Sequence, residues 1–224
     1  MKLNKMLALA LSGVMAVSML AGCSGAPSNG EEGGSSSEVT VATDAAAAMN
    51  KAQSKVKFEA DSTLSNVLAA AVEQAKLDDV VNTAKSATLD AKVVTGANSS
   101  NAQSIYNYMN SKLPSEYGVQ DEKFTYSNAS AVAGDDKEVT QTVIYTMKAG
   151  AYDEDTAVAM VAKQMNSASF KDTYTISGSS NHDYKVEYTG AVSVDTATVT
   201  KDGDTYSIYV VAVSVTRTPT EVNK

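Results

Sequence analysis

The hydrophobic pattern divides the chain into three regimes. Residues 6–20 form one nearly continuous apolar run, LALALSGVMAVSML being its bulk. From Ser24 to about Thr43 almost no large apolar side chain occurs before Val39. After Asp44 the apolar positions recur with periods that alternate between those of a helix and a strand.

In this third regime Asp44 can cap a helix over Ala45–Lys55, and Lys55–Ala60 alternates as a half-buried strand does. Asp61 or Ser62 caps the next helix, whose Leu64, Val67, Leu68, Ala71, Val72 and Ala75 fall on one face, and helix continues or restarts after Asp78-Asp79 as far as Ser86. Thr88–Thr95 predicts a strand. Asn98-Ser99-Ser100 then offers caps for a helix with Ile105, Tyr108 and Met109 inward, which Pro114 stops. Glu122–Ser130 and Lys137–Lys148 predict a hairpin around Gly134-Asp135-Asp136, and Asp153–Ser167 a helix with Ala157, Met160, Val161 and Met165 on its stripe.

The remainder is β: Tyr174 and Ile176, then Tyr184 to Tyr188, then Val192–Thr200, then Tyr206–Thr216. Asp202-Gly203 predicts a type I′ turn between the last two segments, because both residues tolerate positive φ. The middle of the last strand is apolar on both faces, which places it centrally in the sheet. The expected fold class is α+β, a mainly antiparallel sheet with about three helices packed on one face. A strand–Gly–helix echo between 96–111 and 150–167, each helix ending Met-Asn-Ser, reads as coincidence of helix-end chemistry rather than duplication.

The first regime is an export signal. Residues 1–22 contain Lys2 and Lys5, no acid, an apolar core of 15 residues and a small-residue end. A spanning helix needs about 20 predominantly apolar residues, so the segment is read as removable. Its end, Leu20-Ala21-Gly22-Cys23, resembles the lipobox of bacterial lipoproteins. That resemblance covers the N-terminal segment only. It implies cleavage before Cys23, a lipid on the Cys23 thiol and an acylated new N-terminus. Two or more acyl chains, at about 0.8 kcal/mol per buried methylene, suffice for stable anchoring. The expected organisation is thus signal 1–22, acylated cysteine and Gly/Ser-rich tether 23–43, one domain 44–217 and a loose tail 218–224. As a Gly/Ser coil, the tether has a typical span of about 25 Å.

Composition narrows the function classes. The chain carries one Cys, one His and no Trp, which removes internal disulfides, Cys/His zinc frameworks and most routes to a Ser-His-Asp or Cys-His unit. Its formal charge of −8 becomes −10 when Lys2 and Lys5 leave with the signal. A domain this acidic is repelled by phosphate backbones, so nucleic acid is not an expected partner, and membrane contact is expected through the lipid alone.

The candidate chemistry is sparse. His182 stands in the polar stretch Ser179–Asp183 and reads as a solvated imidazole, and adjacency to Asp183 does not make a dyad. Asp135-Asp136 and Asp153-Glu154-Asp155 offer carboxylates but lack the spacing of a calcium loop, and turn and helix-start chemistry account for them. Asp202 and Asp204 flank a turn glycine. All eleven tyrosines lie at or after Tyr106, and Tyr184, Tyr188, Tyr206 and Tyr209 serve either packing or contact, packing being preferred. No phosphate-binding, dinucleotide or zinc-protease string occurs. The expectation is no cofactor, no metal and no catalytic residue. The leading reading is a lipid-anchored, extracytoplasmic, noncatalytic binding or scaffolding protein of a bacterial envelope, its ligand an unidentified protein, polymer or small molecule. Two alternatives stay open: a small solute-capturing lipoprotein, and a carboxylate-dependent hydrolase acting on envelope polymers.

Overall fold

The computed structural model describes residues 43–96, 102–126, 137–165, 170–176 and 182–223, all within the unit Val39–Lys224. The fold is α+β with a mixed sheet of six strands. They are β1 (Lys57–Glu59), β2 (Lys92–Val93), β3 (Val139–Lys148), β4 (Thr173–Ile176), β5 (His182–Lys201) and β6 (Asp204–Asn223). The order across the sheet is β1-β5-β6-β3-β2, with β4 also paired to β5. Every strand pair is antiparallel except β1 with β5.

The long β5–β6 hairpin is the centre of this arrangement. Asp202 and Gly203 adopt φ of +54° and +90°, the two positive values that a type I′ turn needs, and Lys201 pairs with Asp204 around them. The twist of that turn matches the twist of the strands, so alternating β-branched residues zip from Thr200/Thr205 back to Asp183/Asn223. Residues 218–223 are therefore strand rather than a loose tail, with Thr220 opposite Lys185 and Glu221 opposite Tyr184. β6 is the central strand, as its two-faced apolar run requires.

Among the described residues five α-helices rather than about three cover the sheet, and they cover both faces rather than one. α1 (Thr43–Ala52) and α5 (Glu154–Met165) bury Met49, Ala157, Val158, Val161 and Met165 against Val143, Tyr145, Met147, Val211, Val213 and Val215. On the opposite face α2 (Ser62–Glu73), α3 (Leu77–Ser86) and α4 (Gln103–Lys112) bury Leu64, Leu68, Val80, Ile105 and Met109 against Ile144, Ile208, Val210 and Ala212. The second face was hidden because much of it is built from hydroxyl residues that read as solvent-facing. Thr142, Thr146, Ser193 and Ser214 are all buried. Thr142 shows how this is tolerated: its hydroxyl donates to the Tyr117 carbonyl at 2.7 Å, so no polar group is stranded.

Local caps follow the sequence closely. Asp61 accepts from the Leu64 amide at 3.0 Å at the start of α2, and Asp153 from the Thr156 amide at 2.8 Å at the start of α5. α4 ends at Lys112, two residues before Pro114. Its expected caps at 98–100 lie outside the described residues, and so do residues 127–136 of the expected 122–148 hairpin, its turn included. What is described of its first arm, residues 122–126, is not strand; Phe124 and Tyr126 are core residues, and β3 pairs with β6 and β2 instead. The strand expected at Thr88–Thr95 shrinks to Lys92–Val93. The echo between 96–111 and 150–167 places its helices, α4 and α5, on opposite faces of the sheet. Among the described residues no helix is long and apolar enough to cross a membrane.

Candidate functional site

Among the described residues, the acidic positions singled out from sequence do not gather into one site. Leu20, Ala21, Gly22 and Cys23, and the acidic pair Asp135-Asp136, lie outside the described residues. His182 opens β5 with its backbone paired to Ile176. Asp183 beside it accepts a hydrogen bond from the Thr175 hydroxyl at 2.6 Å. In the cluster Asp153-Glu154-Asp155, the first carboxylate caps α5, and its bonds to Thr156 hold its pKa below the ordinary carboxylate value. Glu154 accepts from the Thr196 hydroxyl at 3.4 Å. Among the described residues no three His, Cys, Asp or Glu side chains gather where they could hold a metal ion.

The tyrosines divide by position. Tyr188 and Tyr209 are buried, and each donates its hydroxyl to a carbonyl, Lys171 at 3.1 Å and Tyr152 at 2.7 Å. Tyr184 is buried as well. Packing is thus the role of three of the four. A further tyrosine, Tyr126, donates to the Val215 carbonyl and accepts from the Gln141 amide at 3.0 Å, inside a nest of rings with Phe124, Phe170 and Tyr188. Arg217, the single arginine of the chain, is buried beside this nest; burial pushes the Tyr126 and Tyr188 hydroxyls above their ordinary pKa, and the guanidinium charge partly offsets it. At the start of α2 the Tyr117 hydroxyl donates to Asp61 at 2.7 Å, and burial raises its pKa to about 12. These hydroxyls stay protonated at neutral pH and act as donors that lock strands and caps together.

Tyr206 is the exception. It is half-buried and lines a concavity of about 300 Å³ with Ala84, Lys148, Gly150, Thr205 and Ser207. The concavity exists because β6 starts four residues beyond the end of β3, where Lys148 pairs with Ile208, and because Gly150, at φ +84°, has nothing within 4 Å of where a Cβ would stand. The Lys85 ammonium lies 5.4 Å from the centre of the Tyr206 ring. The lining supplies an ammonium, hydroxyls and a ring, without a carboxylate or imidazole. Such a set can hold a hydrogen-bonding ligand and contains no acid–base pair.

A second feature is the outer edge of β5. β4 pairs with it at His182–Lys185 and β1 at Thr189–Ala191, but Val192–Lys201 has a strand partner only on the β6 side among the described residues. Asp195 sits in this stretch, half-buried, with its Oδ1 accepting from the Thr196 amide at 2.7 Å. Burial raises the Asp195 pKa, and the Thr196 bond partly opposes the rise. Sequence reasoning passed over this residue because an Asp inside VSVDTATVT looks like one more outward-facing position. The available signal was that an acid interrupts an otherwise β-branched run, which is how edge strands are often blunted.

No family model, no curated protein and no solved structure matches this chain.

Proposed function

We propose that the mature protein is a lipoprotein of a bacterial envelope, held at the extracytoplasmic membrane face by lipid on Cys23 and displaying a noncatalytic binding or scaffolding domain. The observation that carries this reading is Leu20-Ala21-Gly22-Cys23. The only thiol of the chain stands at the end of an acid-free apolar leader, directly before a Gly/Ser-rich stretch. Two features support the binding half. Among the described residues the Asp153 carboxylate caps α5 and the Asp183 carboxylate accepts from the Thr175 hydroxyl, and the concavity beside Tyr206 is lined without a carboxylate or imidazole.

Replacement of Cys23 tests the anchor. Expression of Cys23→Ala in a bacterial host fed a clickable fatty acid should give a folded chain without label, recovered in the soluble fraction, whereas the unaltered chain carries label and sediments with membranes. Membrane association of the Cys23→Ala chain that survives carbonate washing would remove the basis for the proposal.

A further inference from the structure

Two strands of unequal reach shape the concavity beside Tyr206. β3 ends at Lys148, opposite Ile208, while β6 starts four residues earlier at Asp204, so its first residues run on beyond β3. Side chains alternate across a strand, and Ile144 of β3 and Ile208 of β6 pack on the face that holds Val80 of α3. By that alternation Lys148 and Tyr206 turn toward the same face. The last turn of α3 carries Lys85 over it, with its ammonium 5.4 Å from the centre of the Tyr206 ring. One ammonium from a strand and one from a helix thus meet at a single ring.

The two lysines differ in cause. A cation in the last turn of α3 is favoured by the helix dipole, and Lys92 serves the same end by donating to the Ser86 carbonyl at 3.2 Å. Lys148, exposed at the end of a strand, has no such local reason to be basic. Among the described residues neither Lys85 nor Lys148 stands in an ion pair, whereas nearby Lys201 is held by Asp78 at 2.7 Å. The turn acids Asp202 and Asp204 are exposed and take no part in the lining. In a chain of formal charge −8 this is a local reversal of sign. Salt confines charge interactions to about 8–10 Å, so the ammoniums beside the ring outweigh distant acids there.

We infer that the concavity binds a small oxyanion, a carboxylate or phosphate group carried on a single flat ring, with the charge taken by Lys148 and Lys85 and the ring set against Tyr206. Charge selects this class. A neutral ligand would leave both ammoniums uncompensated, and a cation would add to their repulsion. The volume of about 300 Å³ is at the low end for small-molecule sites and admits one ring rather than a folded partner. Gly150, with nothing within 4 Å of where a Cβ would stand, keeps the entrance open, and the exposed Thr205 brings a hydroxyl to the lining. The inference names the ligand class of the binding reading proposed above and rests on it, but it does not depend on the anchor at Cys23.

The test titrates the full chain carrying Cys23→Ala with phenyl phosphate in one arm and benzoate in the other, followed by amide shifts in NMR. Saturable shifts at Gly150, Thr205, Tyr206 and Ser207 are expected, with a Kd of about 1 mM in the tighter arm, which identifies the oxyanion. Phenol offers the ring without the charge and inorganic phosphate the charge without the ring. Each should bind more weakly by about threefold or more. Lys148→Met and Lys85→Met should each weaken binding about three- to fivefold with melting unchanged, because both side chains are exposed, and Lys148→Arg should restore it. Shifts that do not saturate in either arm, phenol binding as well as phenyl phosphate, or affinity untouched by Lys148→Met would each overturn the inference. Binding by a chain that takes no lipid label when Cys23 is present would uphold the site and refute the anchor alone. Release of phenol from phenyl phosphate, lost in Lys148→Met, would uphold the site and refute the noncatalytic reading.

Discussion

Asp195 carries opposing demands on one side chain. It is half-buried on the face that holds Ala197, Val210 and Ala212, and it has no basic partner among the groups that shift its pKa. Desolvation therefore disfavours its ionised form in the native state relative to the unfolded chain. The sign of the pH effect follows. A carboxyl whose pKa is raised by folding costs stability when ionised, and the cost disappears as pH falls through the raised pKa. Asp195→Asn keeps an oxygen for the Thr196 amide and removes the charge. It should melt higher than the unaltered protein at pH 7, and the gap should close toward about pH 4, near the ordinary carboxylate range. A melting difference independent of pH between 4 and 7 would mean that the charge is fully solvated. Residues of the opposite kind were visible from the sequence: Asp61 and Asp153 stand where capping chemistry puts them, and their bonds are made within four residues of chain.

Features with local causes were legible for that reason, and the pairings and extents that have remote causes were not. The register of the β5–β6 hairpin is dictated by two residues, Asp202 and Gly203, that sit next to the strands they join. By contrast alternation marked β1 as a strand but not its partner, since it pairs in parallel with β5 at Gly190, some 130 positions along the chain, and the strand expected at Thr88–Thr95 is reduced to the two residues that meet Thr146 and Tyr145. The division of helices between two faces was equally remote in origin, since it depends on which hydroxyl residues find partners: Thr142 with Tyr117, Thr140 with Thr216. Gly190 is where this remote pairing can be tested. A Cβ there would stand 2.6 Å from the Ser214 carbonyl oxygen and 2.7 Å from the Phe58 ring, so either β6 or β1 must move. Gly190→Ala should cost about 2 kcal/mol and lower the melting temperature by about 4–8 °C, with β1 the first element to lose amide protection in hydrogen exchange. Unchanged protection at the Glu59 amide, rather than at Phe58, whose amide donates to Asn50 Oδ1, would show that β1 does not depend on this close approach.

At the scale of the whole molecule, stability has to come from burial alone. The single cysteine excludes an internal disulfide, and the two cores on either side of β6 do the work that staples do in smaller exported domains. Each core is closed by elements from distant parts of the chain, α1 with α5 on one face and α2, α3 and α4 on the other, so the domain should unfold as one cooperative unit. The stretch before it, residues 24–38, contains no side chain larger than proline, asparagine, serine or glutamate. Such a composition cannot offset its own ordering entropy and gives the domain no apolar surface to bury. Deleting residues 24–38 should therefore leave the calorimetric melting temperature within about 2 °C of the intact mature chain, with the same cooperativity. If Cys23 carries the proposed lipid, membrane association should persist in the deleted chain, while the domain becomes harder to reach for an antibody against the β5–β6 turn, because the distance allowed by the stretch falls with the square root of its length. A fall in melting temperature of more than about 5 °C would place residues 24–38 inside the folded unit and reassign the stretch from spacer to structural element.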